Sequence, residues 1–142
     1  MNPEFKKCLD RNKIKTFSRG KSLVAKELDL ANSDLDIAKE SFKNKSYKWA
    51  TIQCYYSMFH TARALVYNKG YREKSHYCLS VALRFLYIET KILSFEHLES
   101  LDSAHSLREN ADYYGNFSLG SAENMIERAG EFLFTAKDIL NK

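Results

Sequence analysis

The chain has 142 residues, 44% of them hydrophobic and 28% charged, and a formal net charge of +4. That is one domain's worth of sequence, able to bury roughly 68–70% of its unfolded surface without needing a disulfide or a metal. One Pro and five Gly are too few for the turns of an all-β fold of this size, whereas nine Tyr and nine Phe can fill a helical core.

Residues 1–21 hold seven basic residues against Glu4 and Asp10, a balance of +5, while the remainder holds 15 basic and 16 acidic residues, a balance of −1. The basic character therefore belongs to an extension, residues 1–17, ahead of a bundle domain over 18–142. Such an extension docks on nucleic acid or an acidic partner, or simply keeps the chain solvated. Lys6, Lys7 and Asp10 stand where a signal peptide needs an apolar core, so export is not expected and a cytoplasmic location is. No apolar run approaches a membrane span, so no membrane association is expected. Cys8, Cys54 and Cys78 are odd in number and lack C-x-x-C spacing, which argues against a disulfide framework or a zinc site and suits a reducing compartment.

Asn2-Pro3-Glu4 opens a short helix predicted to run to about Ile14, and Ser18-Arg19-Gly20-Lys21 breaks or bends the chain. Val24, Leu28, Ala31, Leu35, Ala38 and Phe42 then form one apolar stripe on a helix of about 24 residues. A helix over Tyr47–Asn68 is apolar on nearly every side and reads as the central one, with a stop at Gly70. Ser75 caps a helix to about Thr90, with Leu79, Ala82, Phe85 and Leu86 inward. Ser94 caps another, from Phe95 to about Tyr114, ended by Gly115-Asn116. A last helix starts near Ser118 or Ser121 and runs to Leu140, with Ala122, Met125, Ala129, Phe132, Leu133 and Ala136 as its stripe. Short connections make neighbours antiparallel. The expected fold is all-α, an up-and-down bundle of four to five antiparallel helices with a short N-terminal helical extension.

Two polar constellations stand out. Tyr56, His60 and Arg63 are spaced four and three on the central helix, one helical face in an apolar run where charge is costly unless paired or facing a cleft. The bland reading is a satisfied core histidine and an arginine that snorkels to the edge. His105, Arg108 and Asp112 repeat the spacing near the end of the next helix. There Arg108 suits the helix dipole and Asp112 does not, unless a cation holds it. No H-E-x-x-H, P-loop, Rossmann or nucleophile-elbow pattern occurs, so neither a metal nor a cofactor is expected.

The run Tyr47 to Leu79, "YKWATIQCYYSMFHTARALVYNKGYREKSHYCL", followed by "LRENADYYG", resembles the HEPN domains. The matching elements are Tyr55 to Leu65, Gly70, Lys74-Ser75-His76, and Arg108, Ala111, Asp112 and Tyr113. The resemblance spans about residues 18–141. It implies a helical bundle that commonly forms a homodimer, with the polar faces of two equivalent helices lining a cleft, and a gene often paired with a small nucleotidyltransferase. Many members are ribonucleases, often toxins, with an arginine and, after four to six intervening residues, a histidine. Arg108 matches the arginine, with Glu109 or Asn110 as the polar neighbour. Tyr113 stands where the histidine would be, and an ordinary tyrosine is a poor base at neutral pH. Arg72 to His76, "REKSH", has only three intervening residues and is set aside as that motif. His105, one turn before Arg108, is the substitute that helical spacing offers.

Three functions follow from the resemblance. The first is a nucleotide- or RNA-binding protein, using Arg108, Asp112, Tyr113, Tyr56, His60 and His76, that partners a nucleotidyltransferase in a toxin–antitoxin-like pair. The second is a metal-independent ribonuclease toxin with Arg108 and His105 as catalytic residues. The third is a purely structural dimeric subunit. Tyr113 or Tyr114 could also accept an adenylyl group from a partner enzyme.

Overall fold

The first helix, α1 (Pro3–Asp10), begins where the sequence places it: Asn2 Oδ1 accepts the amides of Glu4 and Phe5 at 2.8 and 3.1 Å. The structure, a computed structural model, describes residues 1–142. α1 stops at Asp10 rather than Ile14, because the chain turns at Asn12, which has φ 58°. Ile14–Thr16 then form a strand, β1, antiparallel to β2 (Tyr71–Glu73), with Ile14 opposite Glu73, Lys15 opposite Arg72 and Thr16 opposite Tyr71. Three-residue strands are too short to show a period of two, which is why the sequence does not announce them.

α2 (Gly20–Lys43) buries Ala31, Leu35 and Ala38 of its stripe, and Val24, Leu28 and Phe42 are half-buried. Its first residue must be small: a Cβ on Gly20 would run into the Tyr67 carbonyl oxygen at the far end of α3 (Tyr47–Asn68). α3 has the bounds its pattern predicts and is wrapped by α2, α5 (Phe95–Tyr113) and α6 (Leu119–Leu140). Its buried residues, including Met58, Ala62, Leu65 and Val66, lie on more than one side. Each large apolar side chain buried in this core contributes about 1.5–3 kcal/mol.

α4 (His76–Leu83) is capped as expected, with the Cys78 amide donating to Ser75 Oγ at 3.2 Å. It does not continue as a regular helix to Thr90; Arg84–Ile88 form a π-helical turn that carries Tyr87 into the core, where its hydroxyl donates to the Leu65 carbonyl at 2.6 Å. Ser94 and Ser118 cap α5 and α6 through the amides of Glu96 and Ser121. Gly115, at φ 67°, closes α5 and lets the Asn116 amide return to the Asn110 carbonyl. The all-α bundle expected from periodicity is thus the fold, with the small ribbon added. No helix is long and apolar enough to cross a membrane.

The expectation that the cysteines form no disulfide is overturned. Cys8 of α1 and Cys78 of α4 are joined, their Cα atoms 6.0 Å apart, and Cys54 is buried and free. An odd count and a separation of 70 residues do not reveal which two meet. Packing does: Phe5 is fully buried, its ring 5.3 Å from Tyr71 and 4.6 Å from Phe85, which seats α1 against β2 and the π-helical turn that follows α4.

Candidate functional site

Three helices bring their polar residues to one place. α3 supplies the adjacent Tyr55 and Tyr56, the first two turns of α4 supply His76 and Ser80, and α5 supplies Asp102, His105, Arg108, Glu109, Asp112 and Tyr113. Steps of three and four residues along α5 keep its contributors on one side. The Ser75 cap places His76 at the first position of α4.

His76 is held at both ring nitrogens. Nε2 lies 3.0 Å from Asp102 Oδ1 and Nδ1 lies 3.0 Å from the Tyr55 hydroxyl. Burial pushes the Tyr55 phenol up to about 12, so it keeps its proton and donates to Nδ1; the carboxylate of Asp102 then accepts from Nε2–H. Ser80 Oγ donates to the other oxygen of Asp102 at 3.1 Å. The His105 ring lies parallel to that of His76, with centroids 3.8 Å apart. Burial, then the neighbouring His76, pushes the His105 imidazole below its ordinary value. Its Nδ1 is 3.2 Å from Glu109 Oε1.

A cleft of about 450 Å³ opens beside this pair, lined by Glu4, Tyr77, Ser80, Arg84, Asp102 and Ser106 together with the two histidines. Arg108 does not line that cleft. Its guanidinium sits behind Tyr55, 5.5–6.0 Å from the ring centroids of Tyr55, Tyr56 and Tyr113. Nη2 donates to the Tyr56 hydroxyl at 2.9 Å and lies 3.8 Å from Asp112 Oδ2. Its Nε is buried and has no hydrogen-bond partner in the protein, the one buried side-chain polar atom of which that is true. Asp112 therefore has the cation its place near a helix C-terminus demands.

Of the residues the sequence singles out, the structure brings together Tyr56, His76, His105, Arg108, Asp112 and Tyr113. It places His60 elsewhere: Nδ1 is 2.6 Å from Glu27 and Nε2 3.8 Å from Asp34, both on α2. Arg63 makes a two-pronged pair with the buried Glu73, at 3.1 and 2.8 Å. Sequence reasoning does not find Tyr55, Ser80 or Asp102. Asp102 continues the three-residue step of His105 and Arg108, and Ser80 lies one turn from His76, so spacing could have raised both. Tyr55 has no signal within an aromatic run. No three His, Cys, Asp and Glu side chains converge as a metal-ligand set would.

The HEPN-domain family model matches residues 25–139. The chain belongs to the HEPN family. Two relatives come from Methanocaldococcus jannaschii. "Putative toxin MJ0142" is 27% identical over 86% of this chain and 84% of its own length. "Putative toxin MJ0605" is 27% identical over 81% of this chain and 87% of its own length. A UPF0332 protein from Archaeoglobus fulgidus is 32% identical over 74% and 85%. In this HEPN chain the position five after Arg108 is Tyr113, whose side chain is exposed beside the guanidinium.

Proposed function

We propose that this HEPN protein binds a nucleotide or single-stranded RNA where α3, α4 and α5 meet, as the toxin-like half of a cytoplasmic pair with a small nucleotidyltransferase. One observation carries the reading: the Arg108 guanidinium, on a side chain 21% exposed among three tyrosine rings, has Asp112 at 3.8 Å as its counter-ion and leaves its Nε without a partner. An unsatisfied buried donor costs about 1–3 kcal/mol, and more when charged. A phosphate oxygen is the acceptor that a planar guanidinium suits best. Tyr113 and Tyr114, both exposed, offer faces on which a base can stack. The same two rings, with the exposed Phe117 and Leu119, give an apolar border that a second copy of the chain would cover in a homodimer. The names of the two Methanocaldococcus relatives support the toxin-like role.

A second reading, a metal-independent ribonuclease, is favoured by the paired histidines. A neutral His105 can take the proton of a ribose 2′-hydroxyl as that oxygen attacks phosphorus; the bond to the 5′-oxygen breaks, and the protonated His105 returns that proton to the leaving oxygen. Arg108, behind Tyr55 and outside the cleft, would act on the phosphorane through its charge at a distance and not by contact.

The test is thermal unfolding with AMP, ATP and a short RNA. A ligand at 100 times its Kd adds about 2.7 kcal/mol, a rise of roughly 5–10 °C in Tm. Arg108→Ala should abolish the shift. No shift at millimolar ligand, or an equal shift in the variant, overturns the binding reading. RNA cleavage by the wild type that is lost in both His105→Ala and Arg108→Ala would establish the second.

A further inference from the structure

Residues 13–16 and 71–74 place four cations on one face of the ribbon. Ile14 and Glu73 sit opposite each other and point inward, 1% and 3% exposed. The alternation of a strand then turns Lys13, Lys15, Arg72 and Lys74 outward, and all four are exposed. Lys15 and Arg72 are direct cross-strand partners, and the Lys74 amide donates to the Lys13 carbonyl at 2.9 Å. Like charges placed opposite each other across a ribbon repel.

The nearby acids do not relieve that repulsion. Glu73 is buried with Arg63, Asp10 is 3.1 Å from Lys6, and Glu4 accepts from the Tyr77 hydroxyl at 2.7 Å. None of the ribbon cations forms a salt bridge; Arg72 rests on the Phe17 ring, 5.1 Å from its centroid. Lys74 is held below its ordinary value, first by contact with the Lys15 amine and then by the charges of Lys15, Lys13 and Arg72.

The ribbon is also continuous with the site. A hollow of about 290 Å³ beside it is lined by Lys7, Arg11, Lys13, Ser75 and Tyr77 and floored by the Cys8–Cys78 link. Tyr77, exposed, walls both this hollow and the cleft of His76 and His105. Lys74 and Ser75 lead in the chain directly to His76.

We infer that the ribbon face and the hollow beside it form a track for the phosphate backbone of single-stranded RNA, which passes over Tyr77 into the histidine cleft. This rests on the nucleic-acid reading above and names the part of the ligand that lies outside the cleft. Unpaired cations in a row match evenly spaced phosphates, and Tyr77 offers a ring on which a base can stack between them. An acidic protein surface is the other occupant such a face could take.

The experiment measures anisotropy of a labelled RNA of about 20 nucleotides from roughly 50 to 200 mM salt, with a dinucleotide competed at the cleft in parallel. The variant is Lys13→Gln, Lys15→Gln, Arg72→Gln and Lys74→Gln together, and Lys15→Gln with Lys74→Gln is the milder control for folding. Each lost phosphate contact lowers the slope of log K against log salt by about 0.7 for a single strand. The full variant should lose roughly 2–3 from the slope and at least about tenfold in affinity for the long RNA, the double variant about half the slope change, and neither should alter dinucleotide binding. An unchanged slope in both variants overturns the track and leaves the face to an acidic protein. Failure of the wild type to bind the dinucleotide counts instead against the cleft, and the long-RNA slope still decides the ribbon.

Discussion

His76 and His105 lie face to face, their ring planes 7° from parallel and their centroids 3.8 Å apart. One ring comes from the start of α4 and the other from the middle of α5, so the stack is also a join between two helices. Burial first, and then the charge of the facing His76, holds the His105 imidazole below its ordinary value. The Glu109 carboxylate lies 3.2 Å from Nδ1 of His105.

Stability should depend on this suppression. His105 and His97 are both pushed below the ordinary histidine value of 6.5, in each case by burial first. The folded chain then binds fewer protons than the unfolded one in the window just below pH 6.5, so stability is full above that window and falls as pH drops through the folded values. The urea midpoint should therefore decrease from about pH 7 to about pH 5. His105→Gln and His97→Gln together should flatten the profile; parallel profiles for variant and wild type would contradict it.

The hydrogen bonds around His76 dictate its tautomer. With Tyr55 donating to Nδ1 and Asp102 accepting from Nε2, the neutral ring carries its hydrogen on Nε2. Two-bond proton–nitrogen correlations of the imidazole should show that pattern in the wild type, and Asp102→Leu should lose it. A wild-type ring protonated at Nδ1 alone would refute the arrangement.

Arg63 and Glu73 should behave as a buried pair. The Glu73 side chain is 2% exposed, so Arg63→Leu leaves an uncompensated charge and should cost about 3–5 kcal/mol in urea unfolding. Arg63→Leu with Glu73→Leu should cost markedly less than the single change. A double variant no better than the single would mean that the pair acts through something other than charge.

The Cys8–Cys78 link closes a loop of 70 residues and should contribute about 2–4 kcal/mol by restricting the unfolded chain. Unfolding with and without dithiothreitol measures it. Cys8→Ala should show the same deficit and no response to the reductant, and a reductant effect that persists in that variant would point to Cys54 instead.

Much of this architecture was legible in the chain because it is local. A stripe at four-and-three spacing, a serine cap and a glycine stop act within a few residues, and the bounds of α3 and the starts of α5 and α6 follow from them. The mismatch of Asp112 with its helix dipole was likewise visible, and Arg108 lies beside it. Tyr56, His60 and Arg63 show where such reading stops. They share a stripe, yet over about 10 Å of helix Tyr56 meets α5, His60 meets α2 and Arg63 meets β2.

The sequence by itself determined which segments are helices and which residues face a core, because backbone geometry turns spacing into direction. Only the tertiary structure decided the partners: Cys8 with Cys78, Lys15 beside Arg72, His76 on His105 and Asp102 beneath them. Those meetings depend on how separate elements pack, and packing energy is shared among many weak contacts far apart in the chain, so no short stretch of residues carries it.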